Sequence, residues 1–135
     1  YGRGPWENYP DRKTSCLIGR WSSKVSSQYT HYPRPQDSGN HEDVTEVTLT
    51  NKEGKGIRVT AIDRPFSFSA LYYTVDDIYK ATHDCDLKPR KEIILSLDAA
   101  VLGLGNSSCG PGVLKKYAID KQKPHTLRVR FSLIK

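Results

Sequence analysis

The sequence predicts an all-β protein built as an antiparallel β-sandwich with one short helix. Three observations indicate this fold. Apolar and polar residues alternate in several short segments, turn-forming residues separate those segments, and only one segment carries a helix signal. The chain has 135 residues, of which 36% are hydrophobic, and no repeat or low-complexity tract divides it. We therefore expect 1–135 to belong to a single domain.

The clearest strand prediction lies near the end of the chain, in the segment HTLRVRFSLI. Every second residue there is apolar: Leu127, Val129, Phe131 and Leu133. A period of two is typical of a strand with one face in a core and the other in water. We therefore expect these four side chains to be buried and the intervening Arg128 and Arg130 to be exposed.

Three further segments have strand character. DVTEVTLT and GIRVTAI flank NKEGK, in which Asn51 and Gly54 suit a short turn, so the two segments are predicted to pair as a hairpin. RPFSFSALYY alternates through Phe66, Phe68 and Ala70. KEIILSLDAAVLGLG is typical of a buried strand that runs into a glycine-rich loop.

The single helix signal is TVDDIYKATH. Thr74 can cap the free amides of the first turn, and Asp77 stands three residues later, where a capping box requires an acidic or amide side chain. The spacing predicts a short helix after Thr74.

The charge of the chain does not indicate a nucleic-acid or membrane partner. The formal net charge is +6, but basic residues alternate with acidic ones in DVTEVTLTNKEGKGIRV and DCDLKPRKE, as on a solvated surface. No apolar run approaches the roughly eighteen residues of a membrane span. The opening stretch YGRGPWENYPDR has neither a starting methionine nor the regions of a signal peptide, so we expect it to lie inside a domain.

Cysteines and histidines show no spacing typical of a metal site, so none is predicted. The cysteines are far apart and leave the redox compartment open: Cys16, Cys85 and Cys109. The histidines are expected on the polar surface: His31, His41, His83 and His125.

Two short motifs resemble sites but are interpreted as loops. ATHDCD brings His83 and Cys85 close in sequence, but the side chains of contiguous residues rarely converge on one point, so we interpret it as a loop at a helix end. GLGNSSCGPG lacks the lysine of a phosphate-binding loop and is interpreted as a turn whose backbone conformation requires glycine.

Three motifs then carry a family resemblance: GRGPWENYPDR, YTHYPRPQDSGN and LGLGNSSCGPGV. In order and spacing they resemble the C-terminal part of the large β-galactosidases of glycoside hydrolase family two. The similarity covers nearly the whole chain. It implies a fold of the galactose-mutarotase-like supersandwich kind, with 1–135 forming the C-terminal portion of that family's last domain, incomplete at its N-terminus.

The resemblance implies a structural role for the first motif. Its glycines allow the backbone path, its aromatic residues pack, and Glu7, Asp11 and Arg12 tie the turn by ion pairs and hydrogen bonds. The residues assigned to this motif are Gly2, Gly4, Pro5, Glu7, Asn8, Tyr9, Asp11 and Arg12.

The resemblance also implies the activity of a parent enzyme, which hydrolyses terminal β-D-galactosides with retention through a pair of glutamates. Those glutamates belong to a central barrel that lies outside this chain, so no catalytic residue is assigned here and the chain alone is expected to be inactive. Glu42, Glu46 and Glu92 are expected in strands or solvated loops and form no credible catalytic pair.

No cofactor is expected in this chain, because the resemblance implies that the Mg and Na ions of the family bind elsewhere in the parent. The expected partners are the remaining domains of the parent and its galactoside substrate. The compartment, bacterial cytoplasm or periplasm, stays open.

The last motif carries the one substrate-adjacent expectation. In members of the family the matching loop reaches over the mouth of the barrel, and in the best-known members it places a tryptophan against the sugar. Cys109 stands at that position here, with Ser108 and Asn106 beside it. A thiol offers a small contact in place of a stacking ring. The other interpretation is that Cys109 only packs within the loop.

One alternative function and one further expectation concern the chain as a separate molecule. A stand-alone carbohydrate-binding module would use exposed aromatic residues, for which the candidates are Trp6, Trp21, Tyr29 and Tyr32. Because the resemblance begins inside a domain, a sheet edge is expected to lack its partner, and the fragment is expected to self-associate.

Overall fold

The computed structural model describes residues 1–105 and 110–135. Most of its regular structure is antiparallel strand, so the all-β sandwich is confirmed. The strands are β1 (Gly2–Gly4), β2 (Leu17–Gly19), β3 (His41–Val44), β4 (Glu46–Thr50), β5 (Gly56–Ala61), β6 (Phe66–Leu71), β7 (Ile94–Asp98) and β8 (Val129–Ile134). The helix α1 spans Val75–Lys80, and 3₁₀ turns occupy Val25–Ser27, Asp84–Asp86 and Lys115–Tyr117.

The strands form three antiparallel sheets. β1 pairs with β2, the order β3-β6-β7 makes a second sheet, and the order β4-β5-β8 makes a third. Thr45 alone separates β3 from β4, so the chain passes there from one three-stranded sheet to the other. The main core joins these two sheets and contains Val44, Val47, Val59 and Phe66.

The predicted hairpin is confirmed as β4 and β5, with Val47 opposite Val59. Its turn depends on Gly54, which has a φ of +79°. Glycine adopts this conformation without the steric strain that a side chain would cause. The Asn51 carbonyl accepts the Gly54 N–H at 3.1 Å, and the Asn51 side chain accepts the amides of Glu53 and Lys55.

Strand β8 forms where the alternation predicts it. Leu127 and Val129 pack against the main core, and Arg128 and Arg130 are exposed as expected, but the predicted burial of Phe131 and Leu133 is wrong. Phe131 is 60% exposed and Leu133 is 78% exposed. The pairing puts Phe131 beside Val59 and Leu133 beside Ile57, so the strand does continue the apolar face of the sheet. The β8 end of that face, however, is left uncovered by the part of the chain that the structure describes.

The predicted helix is confirmed. Thr74 Oγ1 accepts the Asp77 N–H at 3.1 Å, and the Asp77 carboxylate accepts the Thr74 N–H at 2.9 Å, which completes the capping box. Ile78 is buried against Tyr29 and Leu71 in a second, smaller core cluster. Within the described ranges, no helix has the length and apolar character needed to cross a membrane.

Two further side chains differ from their expected exposure. His41 is buried at 7% exposure, between the Arg3 carbonyl and the Gln28 side chain, whereas the other three histidines are exposed as expected. Its ring stacks on Phe68, a neighbour that only the β3-β6 pairing supplies. Trp6 of the opening motif was expected to pack, but it is 74% exposed.

Candidate functional site

The opening motif is organised around the Glu7 carboxylate. It accepts the Gly39 backbone N–H at 2.8 Å, the Tyr9 hydroxyl at 3.2 Å and the Tyr32 hydroxyl. The Arg12 guanidinium lies 3.6 Å from the same carboxylate. Burial raises the pKa of Tyr9, and the Glu7 charge raises it further, so the phenol stays protonated as a donor. Glu7 therefore joins the motif to the loop at 38–40.

A second connection between the same two segments comes from paired asparagines. The Asn8 backbone N–H donates to the Asn40 carbonyl at 2.7 Å, and the Asn40 side-chain amide donates to the Asn8 carbonyl at 2.8 Å. The two segments are 32 residues apart in sequence. Since both asparagines are buried, these bonds are shielded from water and fix the relative position of the segments.

Two glycines of the motif allow close packing. A Cβ atom on Gly2 would lie 2.6 Å from Val44 Cγ2, and one on Gly4 would lie 2.6 Å from the Trp21 ring. Larger residues would therefore separate β1 from β3 and from Trp21. Pro5 follows Gly4 through a cis peptide bond.

Asp11 makes a long-range connection that the sequence does not predict. It was expected to tie its own turn, but Oδ1 accepts the Leu104 backbone N–H at 2.9 Å and Oδ2 accepts the Gly105 backbone N–H at 2.7 Å. Partial burial acts to raise the pKa of Asp11, but the amides of Gly105 and Leu104 outweigh it and hold the pKa below its usual value. We call this arrangement the Asp11 clamp. It holds the start of the segment 104–112, the loop that the family resemblance predicts to be substrate-adjacent.

The two ends of that loop lie side by side. The Gly103 N–H donates to the Tyr117 carbonyl at 3.2 Å. Gly105 has a φ of +63°, and a Cβ atom on it would lie 2.8 Å from the Val113 nitrogen. A Cβ atom on Gly103 would lie 2.9 Å from Asp11 Oδ2. The base of the loop is thus closed by hydrogen bonds and by glycine contacts that leave no room for a side chain.

The three predicted substrate-adjacent residues, Asn106, Ser108 and Cys109, lie outside the described residues. The structure therefore places the base of their loop and the Asp11 clamp, and those three assignments stay predictions.

Two of the acidic residues expected in strands or loops, Glu42 and Glu46, lie in strands and have structural contacts, and Glu92 is exposed. Glu42 is buried in β3, where Oε1 accepts the Asn40 side-chain amide at 2.9 Å and the Ser67 hydroxyl at 2.7 Å. Glu46 lies 3.6 Å from Arg20 and 3.7 Å from Arg58. Over 1–105 and 110–135, no three His, Cys, Asp or Glu side chains gather as a metal site would require.

The aromatic residues named for a sugar platform fall into two groups. Trp6 and Trp21 are exposed, at 74% and 48%. Tyr29 is buried in the smaller core, and the Tyr32 hydroxyl donates to Glu7. Trp21 also lines a cavity of about 340 Å³ together with Arg20 and Glu46. Of the four candidates, Trp6 and Trp21 are therefore the exposed ones, and one side of the Trp21 ring packs on Gly4 and Gly19.

Comparison with known proteins identifies close similarity along the chain. A family model described as beta galactosidase small chain matches residues 1–133. The β-galactosidase of Kluyveromyces lactis is 36% identical over 122 residues, which cover 90% of this chain and 12% of that protein. The β-galactosidase BgaC of Bifidobacterium adolescentis is 35% identical over 136 residues, which cover 98% of this chain and 13% of that protein. The chain therefore spans about an eighth of the length of these relatives.

Proposed function

Because the chain belongs to the β-galactosidase small-chain family, we propose that it is a non-catalytic β-sandwich portion of an enzyme that hydrolyses terminal β-D-galactosides with retention. The catalytic carboxylates of that reaction are proposed to lie in the remaining domains of the parent. Any Mg or Na ions are likewise proposed to bind elsewhere in the parent. Two roles are proposed for this chain: it supports the fold of the parent, and its 104–112 loop helps to close the active site.

The proposed support of the parent fold rests on apolar surface left uncovered in this chain. Phe131 and Leu133 extend the apolar face of the β4-β5-β8 sheet, and Val75 and Tyr79 are 71% and 83% exposed on α1. Apolar side chains exposed together on a sheet face are typical of surfaces that contact another protein part. The remaining domains of the parent are the proposed contact.

The observation that carries the second role is the Asp11 clamp. Two charge-assisted hydrogen bonds hold the start of the loop, and glycine contacts join its two ends. A loop held at its base can present its tip at a fixed place. We propose that Cys109, with Ser108 and Asn106, borders the sugar or its aglycone there. Cys109 would contribute a small, weakly polar contact where the best-known members of the family have a stacking tryptophan.

One experiment tests the absence of catalysis in this chain. The purified chain is assayed with a chromogenic β-galactoside beside the full-length parent at equal molar concentration. We expect turnover by the parent and none by the chain. Turnover that follows the chain through successive purification steps would show that this portion is catalytic.

A second experiment tests the loop. In the full-length parent, Cys109→Trp is compared with Cys85→Trp, which makes the same change at an exposed cysteine in the 3₁₀ turn Asp84–Asp86. We expect Cys109→Trp to change KM for several galactosides and Cys85→Trp to leave it unchanged. Equal KM values for the wild type and the folded Cys109→Trp enzyme would contradict the proposed role of the loop.

The alternative of a stand-alone carbohydrate-binding module is favoured only by the exposed Trp6 and by the cavity that Trp21 lines. Flat exposed rings are suited to stacking on sugars. A glycan pull-down with the isolated chain distinguishes the two proposals, because a binding module would retain sugar without the rest of the enzyme.

A further inference from the structure

The Asp11 clamp joins two parts of the chain that are remote in sequence. Asp11 and the amides it accepts are separated by 93 and 94 residues. Each carboxylate oxygen takes one amide, at 2.9 Å from Leu104 and 2.7 Å from Gly105. Such charge-assisted bonds are stronger than those between neutral groups. The clamp therefore sets where the chain enters the 104–112 loop.

Asp11 is itself held in place by the rest of its turn. The backbones of Tyr9 and Arg12 exchange hydrogen bonds at 3.2 and 2.8 Å, which fixes the two residues between them. The same turn is anchored through Glu7 and Asn8 to the segment at 39–40. The carboxylate is thus mounted on a rigid part of the sandwich.

The residues that follow the loop lie against the same residues that Asp11 holds. Gly103 lies between Asp11 and Tyr117, since a Cβ atom on Gly103 would come within 2.9 Å of both. Gly105 lies against the backbone of Gly112 and Val113. A shift of Leu104 or Gly105 would therefore move both ends of the loop together.

From this geometry we propose that Asp11 is a positioning residue for the 104–112 loop and thereby sets the affinity of the parent enzyme for its galactoside. This inference rests on the proposed function, in which that loop borders the sugar. Asp11 touches backbone amides and acts through the loop, so it is not a catalytic residue. Its loss should weaken substrate binding more than it slows the chemical step.

The test is made in the full-length parent enzyme with Asp11→Asn. Asparagine keeps the shape of the side chain but replaces one acceptor oxygen with an amide donor, which then faces a backbone N–H. We expect KM for a nitrophenyl β-galactoside to rise about tenfold, with a much smaller change in kcat. We also expect faster hydrogen exchange at the amides of Leu104 and Gly105.

Asp86→Asn is the matched control. The Asp86 carboxylate also accepts two backbone amides, from Thr82 at 3.0 Å and His83 at 2.8 Å, but it does so within its own turn. This variant removes the same kind of interaction away from the loop, so KM should stay at the wild-type value. An equal rise in KM for both variants would overturn the proposal, because it would show a general loss of stability.

A second variant covers the case in which Asp11→Asn fails to fold. Gly105→Ala leaves the carboxylate in place but puts a methyl group 2.8 Å from the Val113 nitrogen, at a φ of +63°. It should raise KM in the same direction. Unchanged KM in a folded Gly105→Ala enzyme would overturn the proposal.

The remaining outcomes separate this inference from the proposed function. Unchanged exchange at Leu104 and Gly105 in Asp11→Asn would overturn the inference, since the clamp would not hold the loop. If Asp11→Asn leaves KM unchanged while Cys109→Trp alters it, the loop borders substrate but Asp11 does not position it. If neither variant alters KM, the proposed role of the loop fails and the inference fails with it.

Discussion

Asn8 Oδ1 accepts the backbone N–H of Glu42 at 2.9 Å, across 34 residues of sequence. The Asn8 side-chain amide donates at the same time to the Trp6 carbonyl at 2.9 Å, and the residue is fully buried. One side chain thus joins the opening motif to strand β3 and leaves no buried polar atom of its own unsatisfied.

The first prediction concerns this asparagine. Asn8→Leu should destabilise the chain by about 2–4 kcal/mol, because it leaves the buried Glu42 N–H without its acceptor and leaves the Trp6 carbonyl with only the weak Cys16 thiol donor. Urea denaturation of this chain measures the change. Asn8→Asp keeps the acceptor for Glu42 but turns a carboxylate oxygen toward the Trp6 carbonyl, so it should also destabilise. Loss of less than about 0.5 kcal/mol in both variants would contradict the assigned contacts.

The second prediction concerns the cap of α1. Thr74→Ala removes the acceptor for the Asp77 N–H and should cost about 1 kcal/mol. Thr74→Ser keeps a hydroxyl at that place and serves as the control, with a much smaller loss. The denaturant midpoints of the wild type and the two variants are compared. Equal midpoints for Thr74→Ala and Thr74→Ser would show that the cap does not stabilise the chain.

The third prediction concerns acid stability and His41. Burial lowers the pKa of His41, although the Arg3 carbonyl and the Glu7 charge act in the opposite direction. The unfolded chain, with an ordinary histidine pKa near 6.5, therefore binds the proton first as the pH falls. The contribution of His41 is present above about pH 6.5 and is lost as the pH falls toward its folded pKa.

The measurement for His41 is the free energy of unfolding as a function of pH between about 7 and 5. The wild type should lose stability over this range, and His41→Gln, which has no titrating group there, should lose less. His125→Gln is the control, because His125 is exposed. An identical pH slope for wild type and His41→Gln would contradict the role assigned to burial.

The fourth prediction is that the isolated chain self-associates through the uncovered face at β8. Phe131 and Leu133 are exposed there on the apolar face of the sheet, and in the described part of the chain β8 pairs on one side only. Sedimentation at micromolar concentration should show a dimer or larger species. Phe131→Lys should weaken association, whereas Ser132→Lys, on the opposite face, should have little effect. A strictly monomeric wild-type chain that unfolds cooperatively would rule this out.

The local elements of the fold were predictable from the sequence. Alternation placed β6 and β8, the Asn51 and Gly54 turn placed the hairpin, and Thr74 with Asp77 placed the start of α1. Each signal depends on residues a few positions apart, because strand periodicity, turn conformation and capping are local properties.

The long-range contacts required the tertiary structure. Asp11 was expected to serve its own turn, since nothing in the sequence links it to amides 93 residues away. His41 was expected at the surface, because its burial follows from pairing with β6 and from the Gln28 side chain. Phe131 was expected in a core, but alternation shows only that one face of a strand is apolar. Whether another part of the protein covers that face is decided by packing, which no local pattern encodes.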